Sequence, residues 1–435
     1  MARAYGVTDE RVLGRALGTR AIITRAIATL VFIVSALCRI FGGIHLGGAV
    51  LPYRLDLDVY RLAPTVWRGG HPLYADHALP ITRLDLPLPF TYPPASAVTF
   101  VPFSWLPVDI AGLTMSLISI VLLLLVARMA VRICGLDTRL PSRWGLGNWW
   151  LAAAITGVAM WLDPVWTTLN FGQVNIILMA MVAVDTLLVP AGRWRGVLTG
   201  VAGALKLTPM AFLLHMLVAR RWRAAVTAIG AFIAVGAIGF ACAPGDSRTY
   251  WTHTVFHTDR IGNLAGRNNQ NINGFWRRLL ADESLAKDLW AVSAVVVTVL
   301  AVVAIHRCLR ADQSLLALCA AAVWGLLVSP TTWGHHWVWV IPAMVGLAAV
   351  GLRTTSSRLR AEYFALVALG LVIFGSSPYQ HMADSYTRVH WNLVETIIGN
   401  SYAVWGVLML ILLAATVREA GIDCRATSSS DPAVS

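Results

Sequence analysis

Apolar segments long enough to cross a lipid bilayer recur along this chain, and no other feature constrains its fold as strongly. A transmembrane helix needs roughly 17–25 consecutive, mostly apolar residues. Runs that reach or approach this length lie near 22–43, 109–127, 149–163, 173–191, 196–217, 223–243, 288–305, 313–330, 337–352, 361–376 and 401–417. The mean hydropathy of +0.67 agrees with this pattern. We therefore predict an all-α polytopic membrane protein, since a transmembrane barrel would show alternating strands of about 10 residues.

The positive charges indicate the direction of these helices. The net charge is +12, and arginines cluster in short stretches between apolar runs, as in "RMAVR", "GRWR", "ARRWR" and "RTTSSRLR". Such clusters are typical of cytoplasmic loops rather than of a surface that binds nucleic acid. With both termini in the cytoplasm, alternation predicts about 10 full crossings, or about 12 helices with broken segments. We predict one integral membrane domain, 1–435, with outer loops at 44–94 and 244–287 and a cytoplasmic tail at 418–435.

Two segments do not fit simple crossings. The run 196–217 has a basic cluster on each side, and a single crossing would place one of them outside. Its midpoint reads "GALKLTPM", and Pro209 removes a backbone donor there. We predict a broken helix or a hairpin, a geometry tolerated where backbone lines protein or a wet cavity. The short run 95–106, which ends at Pro107, is predicted to be re-entrant or interfacial.

The polar clusters that are too rich for simple connectors fall mainly on the predicted outer side. They are "LDLDVYR", "FTYPP", "LNFGQVN", "AGRNNQNINGFWRR", "SPTTWGHHW" and "SSPYQHMADSY". The chain has no nucleotide-binding motif, and its six cysteines show no CxxC spacing that would indicate zinc. We therefore expect function on the outer face, without a metal, a disulfide framework or a soluble nucleotide-binding fold.

Asp56 and Asp58 lie where the chain leaves the first apolar run, ahead of "VYRLAPTVWRGG", which can form an amphipathic helix in the membrane interface. Either acid can stabilise the start of this helix, where negative charge is favoured. Either can also act as a general base beside an apolar surface, because burial raises the pKa of a carboxyl toward a useful range. Asp56 could equally orient a substrate or a metal.

Lys206 is the second candidate, because an ionisable residue within a membrane segment indicates a functional site by default. The alternative is a lysine whose ammonium group reaches the interface, but Lys206 lies near the centre of a 22-residue run beside Pro209. A single cation at a broken helix suits an anionic group such as phosphate.

Three further clusters offer polar contacts. The stretch Arg267–Arg278 is rich in amides and arginines that suit sugar hydroxyls and phosphate, although it can equally be an ordinary surface loop. Gln173 and Asn175 lie at a helix entrance. His335 and His336 are adjacent, about 100° apart on a helix, which is poor geometry for chelating zinc but allows hydrogen bonds to phosphate or sugar.

In this order, the motifs resemble the bacterial polyprenol-phosphate-mannose-dependent α-1,2-mannosyltransferases of the GT-C superfamily, and most of all members that extend phosphatidylinositol mannosides. The matching stretches span about 55–345 and are "LDLDVYRLAPTVWRGGHPLY", "FTYPPASAVTFVPFSWLP", "FGQVNIILMAMVAVD", "GVLTGVAGALKLTPMAFLLHMLVARRWRAA", "NNQNINGFWRR" and "SPTTWGHHWVWVIP". The resemblance implies a multi-pass plasma-membrane enzyme of the GT-C type, whose active site faces the outer side.

The resemblance also implies roles for individual residues. Asp58 matches the catalytic aspartate of the first outer loop. The residues expected at the donor phosphate are Lys206, Arg267, His335 and His336. The residues expected to bind substrate are Asp56, Tyr60, Arg61, Gln173, Asn175, Gln270 and Asn271. Gly334 departs from the family pattern, which often has an acidic residue before the histidine pair.

The chemistry implied by the resemblance needs few groups. A β-linked lipid phosphate donor and an α-linked product mean inversion in one displacement, with one base for the acceptor hydroxyl and cations for the leaving phosphate. The expected partners are polyprenol-phosphate-mannose, a phosphatidylinositol mannoside and membrane lipids, and no cofactor is expected. One alternative is mannosyl or arabinosyl transfer to a lipomannan- or lipoarabinomannan-type glycan. Another is a sugar transporter or lipid flippase, in which Asp185 would belong to the substrate path.

Overall fold

The structure is a computed structural model that describes residues 6–43, 45, 50–76, 78–80, 88–139, 147–383 and 391–422. Most of the predicted tail at 418–435, with Cys424, and parts of the predicted outer loop at 44–94 lie outside these residues. Helices dominate the described part of the chain. They are α1 Gly6–Phe41, α2 Leu55–Arg68, α3 Pro94–Thr99, α4 Val101–Ser104, α5 Val108–Ile133, α6 Leu136–Arg139, α7 Asn148–Ala159, α8 Asp163–Phe171, α9 Asn175–Leu187, α10 Val197–Leu205, α11 Leu213–Val218, α12 Trp222–Cys242, α13 Pro244–Thr252, α14 Ile272–Leu279, α15 Glu283–Arg310, α16 Ser314–Val328, α17 Val340–Arg353, α18 Ser357–Ser376, α19 Leu393–Gly399 and α20 Ser401–Ile422.

Six of the described helices are long and apolar enough to cross a membrane, namely α1, α5, α12, α15, α17 together with the 3₁₀ turn before it, and α18. Two bent pairs raise the number to eight: α8 with α9, at 117°, and α19 with α20, at 77°. The predicted all-α, multi-pass membrane class is confirmed. Several apolar runs form shorter helices, so the described spans are fewer than the predicted ten. The full number of crossings and the side of each terminus stay predictions.

The predicted break in the segment 196–217 is confirmed. Helix α10 ends before Lys206, whose φ of −152° and ψ of 126° are those of extended backbone. The chain then forms a 3₁₀ helix over Thr208–Phe212 and continues as α11. Ser96 of α3 donates a hydrogen bond of 2.5 Å to the carbonyl of Leu205, one of the groups left open at the end of α10. The break therefore presents Lys206 beside α3, one of two short helices formed by the run 95–106.

Helix α2 is fixed to the membrane helices through Arg54, the residue that precedes it. The buried Arg54 guanidinium donates to the carbonyls of Arg39 and Ile40 in the last turn of α1, at 2.8 and 3.2 Å. It also donates to Asn170 Oδ1 at 3.3 Å. A single buried cation thus satisfies carbonyls at the end of α1 and joins α1, α2 and α8.

Gly172 allows α2 to pack closely against the turn between α8 and α9. Its φ of +70° lies in the left-handed region, and a Cβ atom there would be 2.7 Å from Leu57 Cβ. Only glycine meets both conditions without strain. The next residue, Gln173, is therefore held beside the first turn of α2, where Asp56 and Asp58 lie.

The segment between α13 and α15 is organised by the fully buried Arg278. Its guanidinium donates to the carbonyls of Gly266 and Asn269, at 2.5 and 2.7 Å, and to the side chain of Asn400. Asn269 in turn accepts a hydrogen bond of 2.8 Å from the backbone amide of Thr332. These contacts connect the amide-rich segment to the chain that leads into the histidine pair.

Candidate active site

A cavity of about 530 Å³ lies among α2, α9, α16, the break at Lys206 and the 3₁₀ turn over Gly334–Trp339. One part of its wall is apolar and includes Leu178, Met179, Phe212, Leu326 and Trp339. The polar residues that converge on it include Asp56, Gln173, Asn175, Lys206, His335 and His336. An apolar cavity with a few converging polar groups is typical of a ligand site.

Asp56 is the carboxylate at this cavity. Its Oδ2 atom accepts a hydrogen bond of 2.6 Å from Gln173 Nε2, and no described residue bonds its Oδ1 atom. Burial raises the pKa of the Asp56 carboxyl above its ordinary value, while the Gln173 hydrogen bond and the charge of Lys206 act in the opposite direction. A half-buried carboxylate with one free oxygen and a raised pKa suits proton abstraction from a hydroxyl.

Lys206 is a cation that lines this cavity. Its Nζ atom lies 3.0 Å from Asn175 Oδ1 and 3.5 Å from Gln173 Oε1, and it faces the Tyr92 ring at 5.5 Å. None of the ion pairs among the described residues includes it. The ammonium group is therefore held by neutral oxygens and keeps its charge available for an anionic ligand.

His336 adds a second donor beside Lys206. Its Nδ1 atom accepts a hydrogen bond of 3.2 Å from the backbone amide of Trp333, so the neutral imidazole carries its proton on Nε2. That Nε2 atom lies 3.2 Å from Lys206 Nζ, which has only donors to offer. Two donors at this distance are satisfied together by an acceptor that both reach, such as an anionic oxygen.

His335 lies in the same wall. Its carbonyl accepts hydrogen bonds from Thr168 Oγ1 at 3.0 Å and Asn175 Nδ2 at 2.9 Å, which fix the backbone of the histidine pair. Its Nε2 atom is buried and has no hydrogen-bond partner among the described residues. A buried polar atom in a cavity wall marks a position where a ligand can supply the missing bond.

Asp58 is placed differently from Asp56. It is 3% exposed, accepts hydrogen bonds from the Tyr53 hydroxyl at 2.7 Å and from Arg61 Nε at 2.9 Å, and is not among the residues that line the cavity. The Arg61 guanidinium is therefore paired with Asp58. Neither acid forms a side-chain capping bond at the start of α2, although both lie in its first turn. The catalytic role predicted for Asp58 stays a prediction.

Tyr60 lies behind the cavity wall, and its hydroxyl is 2.8 Å from Gln173 Oε1 and 2.9 Å from the Tyr92 hydroxyl. It orients the amide that bonds Asp56. The predicted contact of Tyr60 with substrate stays a prediction, and the described geometry gives it a supporting position.

The structure does not bring Arg267, Gln270 or Asn271 to the cavity. Arg267 donates to the carbonyls of Gln380 and Met382, both at 2.9 Å, and Gln270 donates to that of Gly399 at 2.7 Å. Asn271 caps α14 and donates to the Ser329 carbonyl at 2.5 Å. These side chains organise the segment between α13 and α15. Their predicted contacts with donor and acceptor stay untested.

Sequence reasoning did not single out Arg260, His257 or Tyr92, which line the cavity. It also missed Asp163, a buried carboxylate at the start of α8. Asp163 accepts hydrogen bonds from the hydroxyls of Tyr379 and Tyr402 and from Gln380, at 3.0, 2.8 and 2.6 Å. Its position in the apolar stretch "AMWLDPVW" was an available signal, because buried acids in membrane proteins mark constrained sites.

Asp185, the acid that the transporter alternative invoked, has a local structural role. It accepts hydrogen bonds from the backbone amides of Gly196 and Thr199, at 2.8 and 3.0 Å, and from the Thr199 hydroxyl at 2.6 Å. It thus stabilises the start of α10. In the described part of the chain, no group of three or more histidine, cysteine, aspartate or glutamate side chains is placed to hold a metal. The expectation of a metal-free reaction stays a prediction.

Comparison with known proteins assigns the chain to a family. Residues 90–330 match the model of glycosyltransferase family 87. A Mycobacterium tuberculosis polyprenol-phosphate-mannose-dependent alpha-(1-2)-phosphatidylinositol mannoside mannosyltransferase is 38% identical over 375 residues, covering 84% of this chain and 86% of that protein. The chain therefore belongs to glycosyltransferase family 87, and it is a membrane glycosyltransferase.

Two further mannosyltransferases are similar to this chain in sequence. The protein of the same printed name from Mycolicibacterium smegmatis is 36% identical, with 88% of this chain and 90% of that protein covered. A phosphatidylinositol pentamannoside mannosyltransferase from the same species is 32% identical over 67% of this chain and 69% of that protein. ArnT from Cupriavidus metallidurans, solved with undecaprenyl phosphate, aligns over 93% of this chain and 78% of that one, with a TM-score of 0.41 and 17% identity. The predicted family is confirmed, and the family match favours an enzyme over the transporter alternative.

Proposed function

We propose that this chain transfers mannose from polyprenol-phosphate-mannose to a phosphatidylinositol mannoside, with inversion and an α-1,2 linkage, on the outer face of the plasma membrane. Relatives 36–38% identical to it carry this donor and acceptor in their names. The observation that carries the proposal is the pair of donors Lys206 Nζ and His336 Nε2, 3.2 Å apart, in the cavity that also holds Asp56.

The donor phosphate binds between Lys206 and His336. Both groups donate, and the developing negative charge of a departing phosphate is stabilised by such fixed donors. His335 Nε2 also has no hydrogen-bond partner among the described residues, and a bound ligand can supply one. The apolar wall that includes Leu178 and Phe212 suits the first isoprene units of the donor lipid.

Asp56 is the general base that the cavity geometry favours. The acceptor hydroxyl oxygen attacks the anomeric carbon from the face opposite the phosphate and forms the new C–O bond. The hydroxyl proton passes to Asp56, and the old C–O bond breaks toward the phosphate, which departs as an anion held by Lys206 and His336. Asp58, which the family resemblance implied as the base, is bonded by Tyr53 and Arg61 and supports α2 instead.

Product analysis tests the proposal. Purified full-length protein is incubated with radiolabelled polyprenol-phosphate-mannose and a phosphatidylinositol mannoside. The product is digested with a linkage-specific α-mannosidase and examined by NMR. We expect one added mannose in an α-1,2 linkage. A β-linked product, or transfer only to a lipomannan-type acceptor from a parallel panel, would overturn the assignment.

A further inference from the structure

The cavity has a second cationic position, away from Lys206. The segment that follows α13 contributes Thr254, His257 and Arg260 to the wall of the same cavity. Arg260 is partly exposed, with 21% of its side chain accessible. The mechanism leaves this position unused, since Lys206 and His336 serve the donor phosphate. One cavity therefore contains two separate sites for negative charge.

Arg260 has N–H donors that no contact among the described residues uses. Its Nη2 atom donates to the carbonyl of Tyr74 at 2.8 Å. The nearest carboxylate oxygen, Asp76 Oδ1, is 3.8 Å away on a side chain that is 94% exposed, so this ion pair is weak and screened by solvent. A guanidinium has five N–H donors in a planar fork, and the described contacts use one of its terminal nitrogens. Such a fork suits bidentate recognition of phosphate.

Aromatic residues hold this position relative to Lys206. The Tyr74 hydroxyl donates to the carbonyl of Tyr92 at 2.7 Å, and the Tyr74 ring packs on that of Tyr250 at 5.4 Å. The Tyr92 ring in turn faces Lys206 Nζ at 5.5 Å. Tyr74, which accepts from Arg260, and Tyr92, which faces Lys206, therefore connect the two cations through the same wall of the cavity.

We propose that Arg260 binds the phosphodiester of the acceptor glycolipid, an inference that rests on the proposed function. The acceptor of that reaction carries its own phosphate, and two phosphates at Lys206 would repel each other. Separate cations allow the donor phosphate and the acceptor phosphodiester to bind together, with the mannose hydroxyl directed to Asp56. Arg260 thus selects anionic mannolipids over neutral ones that carry the same sugars.

Paired acceptors test this proposal. Full-length wild type, Arg260→Gln, Arg260→Lys and the control Arg248→Gln receive labelled donor with either a phosphatidylinositol mannoside or the same oligomannoside on an uncharged dialkylglycerol. Arg248 is exposed on α13 and does not line the cavity. For Arg260→Gln we expect the KM of the anionic acceptor to rise roughly tenfold or more, because one charge-assisted contact is lost. The KM of the neutral acceptor and of the donor stay unchanged, and Arg260→Lys is intermediate.

Each other outcome is decisive. Equal changes with both acceptors, or a change confined to the donor KM, would overturn the role of Arg260. If wild type transfers no mannose to either acceptor, the proposed function fails. In that case the role of Arg260 is tested separately, by the binding of deacylated glycerophosphoinositol mannoside measured as a shift of melting temperature. We expect Arg260→Gln to weaken that binding about tenfold, whereas unchanged binding would contradict the proposal.

Discussion

Gln173 Nε2 donates a 2.6 Å hydrogen bond to Asp56 Oδ2, while Gln173 Oε1 lies 3.5 Å from Lys206 Nζ. One amide therefore contacts both the Asp56 carboxylate and the Lys206 ammonium group. It sets the spacing between the group that takes a proton and the group that holds the leaving phosphate.

The pH dependence of the reaction depends on Gln173. Burial raises the pKa of Asp56, and the Gln173 hydrogen bond opposes that rise by favouring the charged carboxylate. A general base works when deprotonated, so kcat/KM falls as pH drops through the pKa of Asp56. Gln173→Ala removes the opposing bond, and we expect the acid limb of the kcat/KM profile to move to higher pH. An acid limb at the wild-type position would contradict this role.

Lys206→Gln should lower kcat/KM by roughly 10²–10³, the typical effect of removing one electrostatic partner of the leaving group. The loss should appear with every acceptor, because it concerns the donor phosphate. Lys287, the only other lysine, is exposed at the start of α15 and provides a matched control. Single-turnover transfer from labelled donor measures both variants. Equal rates for Lys206→Gln and Lys287→Gln would remove Lys206 from the mechanism.

Gly172→Ala should damage both stability and activity. The new Cβ atom would lie 2.7 Å from Leu57 Cβ and 3.0 Å from Arg54 Cβ, at a φ of +70° that side chains rarely adopt. Relief requires movement of α2 away from Gln173. We expect a lower melting temperature and a reduced kcat/KM. Gly236→Ala, in the interior of α12 where a Cβ atom meets nothing within 4 Å, is the control and should keep the activity without lowering the melting temperature.

His215→Leu should stabilise the protein. His215 is 1% exposed, and neither of its ring nitrogens has a hydrogen-bond partner among the described residues. A buried polar group without a partner costs about 1–3 kcal/mol, which an apolar side chain of similar size does not incur. We expect a higher melting temperature in detergent and unchanged transfer activity, because His215 does not line the cavity. A lower melting temperature would contradict this prediction and would mean that the imidazole of His215 makes hydrogen bonds that stabilise the protein.

Much of the architecture was predictable from physical patterns in the sequence. Apolar run lengths located the long helices, and the basic clusters around 196–217 together with Pro209 indicated the break at Lys206. The convergence of Asp56, Gln173, Lys206 and the histidine pair followed from placing the polar clusters on one face.

Other features could not be predicted. Asp56 and Asp58 are two positions apart, or about 200° around a helix, so they face opposite sides. Periodicity does not say which side meets the cavity; the packing of Gly172 and Arg54 decides that. Amides such as Gln270 bond backbone carbonyls as readily as sugar hydroxyls, so composition alone could not separate the two roles. Arg260 belongs to no motif.

The most direct test of the account compares Asp56→Asn with Asp58→Asn in the transfer assay with labelled polyprenol-phosphate-mannose. Both variants keep the size of the side chain and remove the charge. We expect Asp56→Asn to lower kcat by about 10²–10⁴, the usual contribution of a general base, with a donor KM close to that of wild type. Asp58→Asn should retain most of the wild-type kcat and lower the melting temperature, since it weakens contacts with Tyr53 and Arg61. Near wild-type kcat for Asp56→Asn, with loss of transfer in Asp58→Asn, would contradict the account.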